Sequence, residues 1–333
     1  MQLRHRLIPY LYSMNVRSAT EGEPLIQPIY WDWPERDEAY SVPNQYFFGS
    51  ELMVAPITKP RNKVTGLACV KVWFPPARRY VDILTGIVYD GNRALTVYRA
   101  LDDIPVFAAE GSIIPLDANP QPKNGGLNPE AFEVLVIVGK DAEFSIAEDP
   151  KDDPTETKAK VHEPHERTCL IQYFQKEGKL SAKVTGRSWA FRFVAVTSIP
   201  LEDVRVQVNG KALEHVEVEK QAYPQVPSLV VKIPALSEGV YDVDIQIGND
   251  PQLDLFNFEP RLFRLLLDYQ CDFDVKDQIH GIFDPRYAPL GMSTANRWDA
   301  PVGGKVGQLL ALGLDECLIG PAFELLLADS RHP

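Results

Sequence analysis

Leu3, Leu7, Leu11 and Met14 recur at helical spacing, so residues 2 to 18 present one apolar face. Pro9 lies inside that pattern and would cost about 3 kcal/mol in mid-helix, so the helix kinks or begins there. Gly22 and Pro24 end it. Leu25 to Trp31 is then apolar except for Gln27, a pattern that suits a strand buried on both faces, as in a parallel barrel.

From Tyr46 the period changes. Val70, Val72 and Phe74 alternate with Lys71 and Trp73 before Pro75-Pro76. Short strands follow at 80–83, 87–89, 95–98, 104–107 and 113–116, with Thr85-Gly86 and Asp90-Gly91 as turns. This spacing predicts an antiparallel sandwich. Residues 119–129 are rich in Pro, Asn and Gly and read as a linker. A second β run extends from Phe132 to Ile247, and Asn209-Gly210 is its clearest hairpin turn. Residues 149–168 read as a long polar loop. After Pro251, Leu262, Leu265, Leu266, Tyr269 and Phe273 form a helical stripe, and Val275, Ile279 and Phe283 begin another. Residues 285–307 look loose, and Gly320-Pro321 is expected to break a last short helical pair.

The expected fold is therefore mainly β. It comprises the remnant of the end of a (β/α)8 barrel (1–34), two antiparallel β-sandwiches (35–117 and 118–250) and a short helical tail (251–333).

The net charge of −12 argues against nucleic acid and anionic membranes as partners, because both would repel the chain at long range. No apolar run approaches the ~20 residues of a membrane span. Cys69, Cys169, Cys271 and Cys317 are far apart and show no CxxC spacing, so isolated thiols are preferred over a disulfide framework. No Asn-x-Ser/Thr sequon occurs, and Met-Gln-Leu-Arg-His-Arg lacks the apolar core of a signal peptide. These features point to the cytoplasm.

The blocks Arg4 to Tyr12, Gly22 to Pro28, Gln45 to Gly49, Leu52 to Ile57, Val72 to Pro76 with Thr85-Gly86, and Ile104 to Leu116 occur in a fixed order. In motif and spacing they resemble the C-terminal half of family 31 glycoside hydrolases, the α-glucosidases and α-xylosidases. The resemblance is strong over residues 1–116 and weak over 117–250. Glu148-Asp149-Pro150-Lys151-Asp152-Asp153 departs from the Glu-Asp-Asp-Gly turn usual in the family's distal β-domain.

The resemblance implies retaining hydrolysis of an α-glucoside or α-xyloside. Such chemistry uses two carboxyls ~5–5.5 Å apart and no cofactor. In the family these are aspartates of the barrel, in motifs that do not occur in this sequence. Met1 therefore falls downstream of the active site, and no catalytic, cofactor-binding or metal residue is assigned. The expected role is the C-terminal region of an α-glycosidase, inactive alone and completed by a barrel domain that binds the oligosaccharide or α-glycoside. The alternative is a non-catalytic carbohydrate- or partner-binding β-sandwich protein.

Asp32, Glu35, Asp37 and Glu38 could form an acid pair after the barrel-type strand, but a solvated loop is preferred. Asp102-Asp103 read as turn residues. Asp149, Asp152, Asp153 and Glu156 lack the spacing of a Ca²⁺ loop, and Pro164 between His162 and His165 speaks against a helical metal site. Trp31 and Trp33, two apart, would share one face of an extended strand and contact either a sugar or the barrel.

Overall fold

The computed structural model describes residues 2–121, 128–148, 167–214, 216–284 and 302–332. It is mainly β and divides into two compact units.

The first unit comprises residues 1–27, 47–52 and 108–254. Helix Gln2–Arg6 gives way at Leu7 to helix Ile8–Glu21, so Pro9 sits in a first helical turn, where its missing N–H is harmless. The second helix stops at Gly22, whose φ of 75° supplies the left-handed C-cap. Its Ser13 hydroxyl donates to Pro9 O (2.8 Å) and accepts from Ala147 N–H (3.0 Å). Arg6 donates to Asp117 O (2.9 Å) and pairs with Glu133, which also holds Arg192.

Two sheets form the body of this unit. One runs in the order Glu217–Gln221, Ser228–Ile233, Ser188–Val194, Ala131–Val136, Ile113–Asp117. The other runs Ala142–Ala147, Arg167–Phe174, Lys179–Thr185, Val240–Gln246, Arg205–Val208, Lys211–Ala212. Alternating burial along 179–185 and 188–194 turns one face of each strand inward. Tyr173 and Phe193 meet between the sheets at 6.3 Å, and Phe132 stacks on Trp189 at 4.4 Å. Asn209 and Gly210 have φ of 49° and 74°, the pair of positive values required by a type I′ hairpin, and Val208 pairs with Lys211 across it.

Two pairings refine the expected sandwiches. Ala131–Val136 pairs in parallel with Ser188–Val194, so the sheet is not purely antiparallel. Ile113–Asp117 joins this sheet by pairing antiparallel with Ala131–Val136. Both are long-range choices that local periodicity does not encode.

The second unit comprises residues 28–46, 53–107 and 255–333. Ala68–Phe74 pairs antiparallel with Arg93–Arg99. Strands Val106–Ala109, Tyr80–Asp82 and Val88–Tyr89 are successive neighbours in a second sheet. Phe74, Tyr89 and Phe107 close the core, with Phe74 stacked on Tyr89 at 4.8 Å and edge-on to Phe107 at 5.0 Å.

Helices Glu259–Asp268, Phe273–His280, Val302–Ala311 and Glu316–Leu327 complete this unit. Residues 302–307, expected to be loose, lie in a helix, while 285–301 fall outside the described residues. The terminal helix also runs unbroken through Gly320-Pro321. Gly320 lies against the Tyr98 hydroxyl, where a Cβ would clash.

The segment Leu25 to Trp31 forms a three-residue strand and a 3₁₀ turn, with Ile29 its one buried residue. Ile26–Pro28 is the strand, Ile29–Trp31 is a 3₁₀ turn, and Ile26 and Trp31 are each 59% exposed. Continuous apolarity fitted a two-sided strand, but Pro28 removes a ladder donor and redirects the chain.

Candidate functional site

The 3₁₀ turn is anchored by Ile29, which is 1% exposed, and this leaves the next two side chains facing outward. Tyr30 stacks on Tyr40 with rings 5.0 Å apart and only 1° from parallel. The Tyr40 hydroxyl donates to Pro34 O (3.0 Å), fixing the short helix Asp37–Tyr40 against the turn. Tyr30, Trp31 and Tyr40 together form an exposed aromatic ledge in the second unit.

Trp33 does not share a strand face with Trp31, because the chain between them is turned rather than extended. It is half-buried and meets Trp73 edge-on at 6.1 Å. The Arg36 guanidinium lies 6.0 Å from the Trp73 ring and donates to Asn92 Oδ1 (2.9 Å). The buried Gln45 amide accepts from Trp73 N–H (2.9 Å) and donates to Trp73 O (2.7 Å). Trp33 is thus a packing residue, and Trp31 is the aromatic with a surface to offer.

Asp32, Glu35, Asp37 and Glu38 all lie on the exposed side of this segment, with Glu38 3.5 Å from Arg36. A general acid is normally made by desolvating a carboxyl, and these positions provide no such enclosure. Asp102 is an exposed turn residue. Asp103 is half-buried, and burial raises its carboxyl above the usual range although Arg261 stands 3.8 Å away. Asp149, Asp152, Asp153, Glu156, His162 and His165 lie outside the described residues. Among the described residues, no group of three or more His, Cys, Asp or Glu could hold a metal ion, and no helix is long and apolar enough to cross a membrane.

One carboxyl that the sequence did not single out is Glu51. It lines a cavity of about 250 Å³ in the first unit with Ser13, Met14, Arg17 and Phe144. Burial raises its carboxyl above the usual range, against hydrogen bonds from Ser50 Oγ (2.7 Å) and Ile113 N–H (3.1 Å). Glu21 and Glu143 also line the cavity, but both are exposed. Glu21 is bonded to Arg17 (3.1 Å) and Glu143 to Gln172 (2.8 Å). The cavity therefore contains one desolvated carboxyl, whereas a retaining glycosidase needs a facing pair.

Residues 22–114 match the domain described as Glycosyl hydrolase family 31 C-terminal domain. Over 220 residues the chain is 25% identical to an alpha-xylosidase of Saccharolobus solfataricus, an alignment covering 63% of this chain and 29% of that enzyme. Over 136 residues it is 28% identical to neutral alpha-glucosidase C of Mus musculus, covering 40% of this chain and 15% of that one. The chain spans less than a third of the length of these relatives.

Among solved structures, it resembles a cycloalternan-forming enzyme from Listeria monocytogenes in complex with a pentasaccharide substrate. The TM-score is 0.56 at 20% identity, covering 74% of this chain and 23% of that one. A Flavobacterium johnsoniae GH31 dextranase complexed with glucose gives a TM-score of 0.54 at 19% identity, covering 74% and 32%. These structural likenesses establish the fold, and the sequence matches establish kinship with α-glucosidase- and α-xylosidase-type glycosidases.

Proposed function

Because the chain contains the C-terminal domain of glycosyl hydrolase family 31, we propose that it is the C-terminal region of a retaining α-glycosidase acting on α-glucosides or α-xylosides, and that it supplies support rather than chemistry. Residues 1–34 would be the last helix and strand of the catalytic barrel, with the β-rich regions bracing it. The observation that carries this reading is the state of the carboxylates beside the matched blocks. Asp32, Glu35, Asp37 and Glu38 are all exposed, without the enclosure that a general acid is given. The ledge of Tyr30, Trp31 and Tyr40 supports it too, since three exposed aromatics on a fixed turn suit a surface that another domain covers.

A second reading is favoured by the same ledge. Tyr30 and Trp31 present aromatic surface beside polar groups, the combination that stacks on a pyranose ring, and this would make the chain a non-catalytic carbohydrate-binding protein.

The test is to incubate the purified chain with an aryl α-glucoside and an aryl α-xyloside and follow aglycone release. No release is expected, and turnover that scales with chain concentration would overturn the proposal. Retardation of the chain on an immobilised α-glucan, abolished by Trp31→Ser, would favour the carbohydrate-binding reading.

A further inference from the structure

The cavity of about 250 Å³ in the first unit lies between helix Ile8–Glu21 and strand Ala142–Ala147. Met14, Arg17 and Glu21 are three and four residues apart, so the helix turns one face to it. The strand is the edge of its sheet, and side chains from both of its faces reach the space beyond that edge. Glu143 and Ser145 come from one face and Phe144 from the other. Phe144 is fixed there by its stack on Tyr10 at 5.9 Å. Glu51 adds a carboxyl to the wall.

The polar groups are of mixed kind, and each keeps capacity to spare. Arg17 donates to Glu21 (3.1 Å) and Glu23 (2.8 Å), and a guanidinium carries more N–H donors than these two bonds use. Glu51 accepts one bond at each oxygen, from Ser50 Oγ (2.7 Å) and Ile113 N–H (3.1 Å), and a carboxylate oxygen has room for a second. Glu143 accepts from Gln172 at one oxygen (2.8 Å). The Ser145 hydroxyl can donate and accept.

This lining selects a ligand class. Glu21, Glu51 and Glu143 repel an anion, and the Arg17 guanidinium on the same wall repels a cation. An apolar ligand would leave Arg17 and Glu51 desolvated without new partners. A neutral polyhydroxy ring avoids all three costs. Its hydroxyls accept from Arg17, donate to Glu51 and Glu143 and bond Ser145, while its C–H face lies on Met14 and Phe144. Burial raises the Glu51 carboxyl toward its neutral form, which meets a hydroxyl as donor or acceptor. The volume falls below the ~300–1,000 Å³ of drug-sized sites, which admits one ring and not a chain.

We propose that the cavity between helix Ile8–Glu21 and strand Ala142–Ala147 is a binding site for a single neutral hexopyranose. The site is separate from the ledge of Tyr30, Trp31 and Tyr40 in the second unit, and its sugar is held and not cleaved.

The test is saturation-transfer NMR of the full chain with methyl α-D-glucopyranoside, titrated for a dissociation constant. Transfer to the glycoside with a millimolar constant is expected. Arg17→Met should weaken binding about tenfold, as the loss of a charge-assisted hydrogen bond does. Ser145→Leu, which fills the cavity, should abolish it, and Trp31→Ser should leave it unchanged. The Arg17 side chain is 36% exposed, so its replacement keeps the fold, which circular dichroism checks. Absence of transfer, an unchanged constant in Arg17→Met or transfer that survives in folded Ser145→Leu would overturn the proposal. So would loss of transfer in Trp31→Ser, or displacement of the glycoside by an equal concentration of the dication ethylenediamine.

Discussion

Arg99 and Glu324 meet at 2.7 Å in the interior of the second unit, although 225 residues separate them in the chain. Both are almost fully excluded from water, as is Asp82, which takes the other side of the guanidinium at 2.6 Å. Tyr89 accepts from Arg99 (2.9 Å) and donates to Glu324 (2.6 Å). The second Glu324 oxygen accepts from Tyr98 N–H (2.7 Å). The terminal helix thus delivers the carboxylate that completes a buried network in the sandwich.

Glu324→Leu should destabilise the chain by about 2–4 kcal/mol, because Arg99 keeps its ion pair with Asp82 while the buried Tyr89 hydroxyl and Tyr98 N–H lose their acceptor. A double variant, Arg99→Met with Glu324→Leu, should lose less than the sum of the two single changes, since residues in one network couple. Urea unfolding of the four proteins measures this coupling. Strict additivity would mean that the pair does not act as a unit.

Gly49→Ala should also destabilise, by about 1–3 kcal/mol. Gly49 has a φ of 65°, and an added Cβ would overlap the Tyr10 hydroxyl and lie 2.8 Å from Met14 Cγ. That hydroxyl is not free to retreat, because it donates to Phe48 O (2.7 Å) and accepts from Glu51 N–H (3.0 Å). A melting temperature equal to that of the parent chain would refute this reading of the contact.

Asp90 should make the second unit acid-sensitive. Burial alone would raise its carboxyl, but hydrogen bonds from Ser330 and the guanidinium groups of Arg93 and Arg79 outweigh that and hold it below the usual range. A carboxyl lowered in the folded state contributes stability that is present above its unfolded value, about 3.9. That contribution is lost as pH falls through the folded value. Asp90→Asn should therefore be less stable at pH 7 and lose less stability between pH 5 and pH 2. Parallel stability curves for the two proteins would contradict the assignment.

Trp31 and Trp33 should separate by readout. Trp31→Ser should leave stability within about 0.5 kcal/mol, as expected for an exposed side chain. Trp33→Ala should cost about 1–3 kcal/mol through lost burial and its edge contact with Trp73. Thermal melts of both variants test the division between a presenting and a packing tryptophan.

What the sequence revealed was local. Gly22 announced the end of its helix, and Asn209-Gly210 its hairpin, because each needs a positive φ that few other residues tolerate. The matched blocks carried the family on motif and spacing alone. What stayed hidden was non-local. Nothing near Glu324 says that Arg99 awaits it, and nothing near Ala131 says that it pairs in parallel with Ser188. The apolarity of Leu25 to Trp31 measures what that segment could bury and does not by itself say what covers it. The Trp31–Trp33 spacing was read as strand geometry, and the turn after Pro28 cancelled that argument.

The most direct measurement is to capture the native protein from its source cells with an antibody raised against residues 180–250, and to assay the captured material beside the purified chain on aryl α-glucoside and aryl α-xyloside. The account predicts hydrolysis with retention by the captured material and none by the purified chain. Captured material that is inactive on both substrates, or a purified chain as active as the captured one, would contradict it.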